Sequence, residues 1–285
     1  ITPDTLPGAL GALKAAGYRH AVLPPLDAQT TDAGLLRGIF DRAEVAPIAM
    51  AVQVPGANVA SNDPAERTAG EVLLRQSLDL AVRLGADQLN GVPYGLFGPP
   101  AGPTDPVVLE RAAVAVGRVA DEANERGVMM NFEVVNRYET SAINTADQAV
   151  QFVEASGSAH LGIHLDTFHM AVEEADLATA VRTALPYLRY LELGQSGRGS
   201  LSAGAVDVAA VVRQALADGY AGRWGVEAFS SSVLAPDTAG MLAIWRAPYV
   251  DGAEIARDAM RVIHSGWIAS TSARLPSGPS GAVRA

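Results

Sequence analysis

Four acidic residues stand where a charge is hard to accommodate. Glu133 lies between Phe132 and Val134 in 128-VMMNFEVV-135, Asp166 closes 161-LGIHLD-166, Glu192 lies between Leu191 and Leu193, and Glu227 lies between Val226 and Ala228. A carboxylate in an apolar, buried run is costly unless something compensates it. The four are 33, 26 and 35 residues apart in turn, each interval about one strand plus one helix. Side chains alternate along a strand, so Asn131 and Glu133 share one face and Met130, Phe132 and Val134 the other. In a barrel of consecutive strands the four carboxylates would meet at one rim. Their mutual repulsion would protonate some of them unless a cation were present. A divalent ion with oxygen ligands, Mn²⁺, Mg²⁺ or Ca²⁺, resolves the conflict. Taken singly, each acid also reads as a strand-end carboxylate bound to backbone amides or an arginine. Recurrence in four consecutive strands favours a shared site.

The elements that must position these acids alternate along the chain. Strands are expected near 19–24, 46–54, 86–92, 128–134, 161–166, 187–193 and 223–229. Helices are expected near 4–16, 31–42, 63–84, 106–126, 143–156, 174–185, 204–218 and 252–268. Gly17, Gly85, Gly127 and Gly219 each stand between a helix and the next strand, where a left-handed residue ends a helix. Strict alternation predicts a parallel sheet covered by helices. The fold expected is an α/β class (β/α)8 TIM barrel, residues 1–269 forming one domain, with the first strand at or before Ile1. Because the chain opens on Ile1 rather than Met, residues upstream are expected. An open doubly wound sheet is the alternative, but no GxGxxG follows an early strand and no Walker A loop occurs. Two Gly- and Pro-rich loops, 91–106 and 194–204, follow strands and in a barrel fall at the C-terminal rim, where active sites are built. Each reads equally as an ordinary connector. Residues 270–285 are small, polar and rich in Pro and Gly, and read as a flexible C-terminal tail or an arm.

Composition narrows the partners. The 285 residues are 49% hydrophobic, carry a formal charge of −10 and include no cysteine. Disulfides, thiolate metal sites and cysteine nucleophiles are excluded, and a cytoplasmic setting is expected. The acidic balance repels phosphate backbones, so no nucleic acid partner is expected. No apolar run approaches the roughly 20 residues of a membrane span, so no membrane partner is expected. A small neutral substrate is compatible with this charge.

The runs EVVNRYE (Glu133 to Glu139) and LDTFHM (Leu165 to Met170) resemble those of ketose 3-epimerases, the D-tagatose and D-allulose 3-epimerase group within the xylose-isomerase-like barrels. The resemblance extends through GRG at 197–199, VEAF at 226–229 and IWR at 244–246. It covers roughly residue 120 to the C-terminal helix. It implies one divalent ion, Mn²⁺ first, with Mg²⁺ or Co²⁺ as alternatives, held by Glu133, Asp166, Glu192 and Glu227. Glu192 departs from the family, which has histidine there. Gln195 and Gly197 also depart, standing where the family has glutamate and histidine. Substrate contacts carry over as Glu139, His169 and Arg198. The implied reaction inverts C3 of a free ketose through a cis-enediolate, with Glu133 and Glu227 as bases on opposite faces of the carbon. A homodimer or homotetramer is implied by the same resemblance.

Glu192 admits three readings: a fourth ligand favouring hard cations, a residue turned away to pair with Arg189 or Arg198, or the mark of altered activity. His164 reads either as an inward partner of the site or as core packing. Trp224, Trp245 and Trp267 read as packing or interface groups, and the Glu173–Glu174 pair as helix-start charge. Rival functions are an aldose–ketose isomerase, a C-glycoside-cleaving subunit that needs a second chain, and a non-catalytic metal- or sugar-binding protein. A DNA-repair endonuclease is disfavoured by the charge and by the five histidines, too few for a His-rich multi-metal site.

Overall fold

The computed structural model describes residues 2–274. The elements in chain order are α1 (Leu6–Ala16), β1 (His20–Val22), α2 (Ala33–Ala43), β2 (Ala46–Gln53), α3 (Pro64–Leu84), β3 (Gln88–Leu96), α4 (Pro106–Glu125), β4 (Met129–Val134) and α5 (Ala146–Ser156). There follow β5 (Leu161–Asp166), α6 (Thr167–Glu173), α7 (Leu177–Ala184), β6 (Leu188–Gly194), α8 (Val208–Ala217), β7 (Arg223–Glu227), α9 (Pro236–Met241) and α10 (Gly252–Arg274). The strands form one parallel sheet in the order β1 to β7.

The sheet curls into a barrel. Arg223 opens β7 and Gln88 opens β3, four strands away, yet Nη1 of Arg223 donates to both Gln88 Oε1 and Asp87 Oδ1 at 2.8 Å. Among the described residues β1 and β7 are the sheet's edges, so the eighth strand expected at or before Ile1 is not among them. β7 is accordingly only half-buried, whereas every residue of β5 is buried.

Local sequence signals explain the helix starts. Asp63 and Asp105 accept backbone N–H bonds at the head of α3 and α4, each with Pro at the next position. Thr145 and Gln148 form a reciprocal capping box on α5. The four turn glycines all have positive φ. The outer face of the sheet packs as expected. Phe132 meets Tyr94 and Phe152 edge-on at 5.8 and 5.0 Å, joining β3, β4 and α5.

Four expectations need correction. The helix anticipated at 174–185 is α7, preceded by the unanticipated α6, which starts because the Asp166 carboxylate accepts the N–H of Phe168 at 2.9 Å. Short α9 was also not anticipated. β3 continues to Leu96, so the start of the anticipated 91–106 loop is strand. Glu173 and Glu174 do not start their own helix. Glu173 takes a bidentate bond from Arg137, and Glu174 accepts the N–H of Ala146 at the head of α5, at 2.7 Å. α10 runs to Arg274, so residues 270–274 of the expected tail are helical, and 275–285 lie outside the described residues. Among the described residues no helix is long and apolar enough to cross a membrane.

Candidate active site

The strand register brings the acids together. Glu133 sits level with His164, Asp166 with Glu192, and Gly194 with Glu227. The pairing of β5 with β6 shifts by one residue between Ile163 and His164. Without that shift Asp166 would face Leu191, and Glu192 would miss the site. Glu133, Asp166 and Glu192 are buried, while the Glu227 side chain keeps 27% of its surface at the mouth.

Three overlapping groups of ligand atoms result. They are Glu133, Asp166 and His169; Glu133, His164 and Glu192; and Asp166, Glu192 and Glu227. Within each group the atoms lie within 4.8 Å of one another. Two donors on opposite sides of an ion at about 2.4 Å are about 4.8 Å apart, so a dication with oxygen ligands fits this donor set.

Glycines make the room. A Cβ on Gly194 would stand 2.7 Å from Asp166 Oδ1 and 3.3 Å from Arg198 Nη1. A Cβ on Gly225 would strike the Tyr190 ring, which packs edge-on against His164 at 4.6 Å.

Arg198 gathers the rim. Its Nη1 donates to Asp166 Oδ2 at 3.0 Å and to Glu227 Oε2, and Nη2 lies 3.3 Å from His169 Nε2. The guanidinium stacks 3.5 Å above the Phe168 ring, with Phe229 at 5.2 Å. Its backbone is left-handed, φ 55°, in a tight turn closed by Arg198 N donating to Gln195 O at 2.7 Å. Gln195 anchors this loop, accepting from the Ser196 and Val206 N–H groups and donating to the Leu201 and Val206 carbonyls. The loop at 194–204 is therefore a built part of the rim rather than a slack connector.

His169 has a defined tautomer. Nδ1 accepts the N–H of Asn136 at 3.1 Å, so the proton is on Nε2, 3.4 Å from Glu133 Oε1 and 3.7 Å from Asp166 Oδ2. Glu139 approaches the other ring edge, Oε2 at 3.8 Å from Nδ1, and accepts from Asn136 Nδ2 at 3.3 Å. The Arg137–Glu173 bond pins the loop that carries Glu139.

Glu192 turns neither to Arg189 nor to Arg198. Arg189 bonds the Pro186 carbonyl at 3.0 Å, and Glu192 Oε2 instead meets His164 Nε2 at 3.0 Å. Of the two readings for His164, the inward one holds. Asn136, Phe168 and Phe229 are site neighbours that sequence reasoning missed. Asn136 and Phe168 lie inside the two long motifs, which is the one signal that could have found them.

The environments set the carboxylates apart. Burial opposes ionisation of Glu133, but His164, His169 and Arg198 outweigh it and bring its pKa down to about 2. Burial pushes Glu227 well above the usual range against the pull of Arg198, and Glu192, Asp166 and Glu133 add to the rise. Burial likewise raises Glu192, with His164 opposing, and raises Glu139, with His169 and Arg198 opposing.

The xylose isomerase-like TIM barrel model matches residues 10–265. A ketose 3-epimerase of Arthrobacter globiformis is 37% identical over 244 residues, covering 86% of this chain and 84% of that protein. An L-ribulose 3-epimerase of Methylomonas sp. (strain DH-1) is 33% identical over 261 residues, covering 90% and 91%. The crystal structure of a D-allulose 3-epimerase from Methylomonas sp. superposes with a TM-score of 0.88 at 30% identity, covering 93% of each chain. The chain belongs to the xylose isomerase-like TIM barrels and, among them, to the ketose 3-epimerases, enzymes of the isomerase class.

Proposed function

We propose that the protein inverts C3 of a free ketohexose or ketopentose, with Glu133 and Glu227 moving the proton and Glu133, Asp166, Glu192 and Glu227 holding a divalent ion, Mn²⁺ before Mg²⁺ or Co²⁺. The observation that carries this reading is the meeting of four carboxylates from β4, β5, β6 and β7 in overlapping groups at one mouth of the barrel. When bound, the ion supplies Lewis-acid stabilisation of negative charge on the sugar oxygens.

The chain's own residues do the rest. Glu133, kept ionised by its cationic neighbours, takes the C3 proton. Glu227 returns one to the opposite face. A sugar of the opposite configuration uses them in reverse. His169, Glu139 and the Arg198 guanidinium would bind hydroxyl groups of the sugar. Arg198, which bridges Asp166 and Glu227, would hold those two carboxylates in place beside the reacting sugar.

Glu133→Gln and Glu227→Gln test the assignment. Each is expected to lower the rate of C3 inversion by about 10²–10⁴-fold while the fold is kept. Solvent deuterium should enter C3 of a turned-over ketose with the wild-type enzyme. No exchange with any ketohexose or ketopentose, or full activity in either variant, would overturn the reading. The same reading takes a homodimer or homotetramer in the cytoplasm. Exposed Met241, Trp245 and Val250, in and after α9, support association, and the absence of cysteine supports the setting.

A further inference from the structure

His164 is a buried polar side chain on the inner face of the barrel. It is 3% exposed, and among the described residues its Nδ1 has no hydrogen-bond partner. An apolar residue would fill the space and meet the Tyr190 ring without stranding a polar atom. The imidazole therefore earns its place through Nε2, which lies 3.0 Å from Glu192 Oε2. The two side chains reach each other across the shifted β5–β6 register, on the inner face of the barrel. Among the described hydrogen bonds Oε2 is the one oxygen of Glu192 engaged, and Glu192 also belongs to the group formed with Asp166 and Glu227.

We propose that His164 is a positioning residue for the dication site: its Nε2–H fixes Glu192 so that the carboxylate serves as a ligand beside Asp166 and Glu227. The proposal rests on the metal reading above and extends it to His164, a member of one donor group to which that reading gives no ligand role. A carboxylate can rotate about its last bond, and a donor on one oxygen removes that freedom. Partners that orient a ligand in this way typically govern affinity. Glu192 would then owe its geometry to the neighbouring strand rather than to its own.

The test uses the full chain and Mn²⁺ alone, with free Mn²⁺ followed by electron paramagnetic resonance. His164→Phe keeps the ring against Tyr190 and removes the donor, so Mn²⁺ affinity is expected to fall by about 10–100-fold. His164→Gln puts an amide nitrogen near the position of Nε2 and should stay within about threefold of wild type, whereas the shorter His164→Asn should weaken binding as Phe does. Should His164→Phe fail to fold, the Gln and Asn pair carries the comparison, with thermal melts in chelator showing that both are folded. In a Glu192→Ala background His164→Phe should change affinity by less than about twofold, since the partner is already gone. Equal losses in both backgrounds would mark a general packing role or direct ligation by His164 and overturn the proposal. So would unchanged affinity in His164→Phe while wild type binds Mn²⁺, with the metal reading left standing. A wild-type protein that holds no Mn²⁺ would remove the metal reading and the proposal together.

Discussion

Replacing Gly194 with Ala tests whether the position of Asp166 sets the chemistry. The new Cβ would stand 2.7 Å from Asp166 Oδ1 and 3.0 Å from Phe168 Cβ. A relaxed carbon–oxygen contact is about 3.3 Å, so something must yield by about 0.6 Å. Asp166 has little freedom, because Oδ1 accepts from Phe168 N at 2.9 Å and Oδ2 from Arg198 at 3.0 Å. Gly194 is no freer. Its N–H donates to Thr167 Oγ1 at 2.9 Å, and that hydroxyl lies 2.7 Å from the Gly194 carbonyl. Its φ is not left-handed, so backbone strain does not confuse the result. Overpacking of this kind costs about 1–3 kcal/mol, which lowers the melting temperature by roughly 2–10 °C. A ligand displaced by about half an ångström should lower kcat/KM by about tenfold or more and weaken Mn²⁺ binding with it. Gly197→Ala is the control. Among the described residues no heavy atom lies within 4 Å of its Cβ position, and stability should change by less than about 0.5 kcal/mol. A folded Gly194→Ala protein with wild-type kcat/KM and Mn²⁺ affinity would show that the placement of Asp166 does not matter. Equal losses in Gly197→Ala would point to a generally sensitive rim.

Two further outcomes follow from the same geometry. Arg198→Lys keeps the charge but loses the fork that bridges Asp166 and Glu227 and the stacking on Phe168, so kcat/KM should fall by roughly 10–100-fold; steady-state kinetics showing an unchanged value would mean the guanidinium shape is not used. At the opposite end of the barrel, the bond from Arg223 holds the Asp87 carboxyl below its usual range. Because the folded pKa lies below the unfolded one, the stabilisation is present above about pH 4 and disappears as pH falls through the folded value. Both partners are partly exposed, so Asp87→Asn should cost about 1 kcal/mol or less, near 2 °C in melting temperature at pH 7. The two proteins should converge once the pH has fallen below the folded pKa, and a gap that persists there would point to a cause other than this ion pair.

The alternation of strands and helices was legible because period-two and period-3.6 apolar patterns, Asp caps and turn glycines are local signals. The acids were legible for a related reason: Glu133, Asp166, Glu192 and Glu227 each interrupt an apolar run, and four such interruptions in consecutive strands favour a shared compensation. Less was legible where one residue serves two elements. Asp166 ends β5 and caps α6 at once, and nothing local separates those roles. Glu174 completes the start of α5, a helix that begins 28 residues earlier.

What the sequence by itself determined is the barrel's repeating unit and the strand ends at which charge collects, since both depend on the order of neighbouring residues. Tertiary structure alone decided how those charges are shared. The one-residue shift between β5 and β6 sets Glu192 beside Asp166 and within reach of His164, and the turn at Arg198 brings its guanidinium between Asp166 and Glu227. Register and loop closure depend on chain segments far apart in sequence, and so does the partner each buried charge finds.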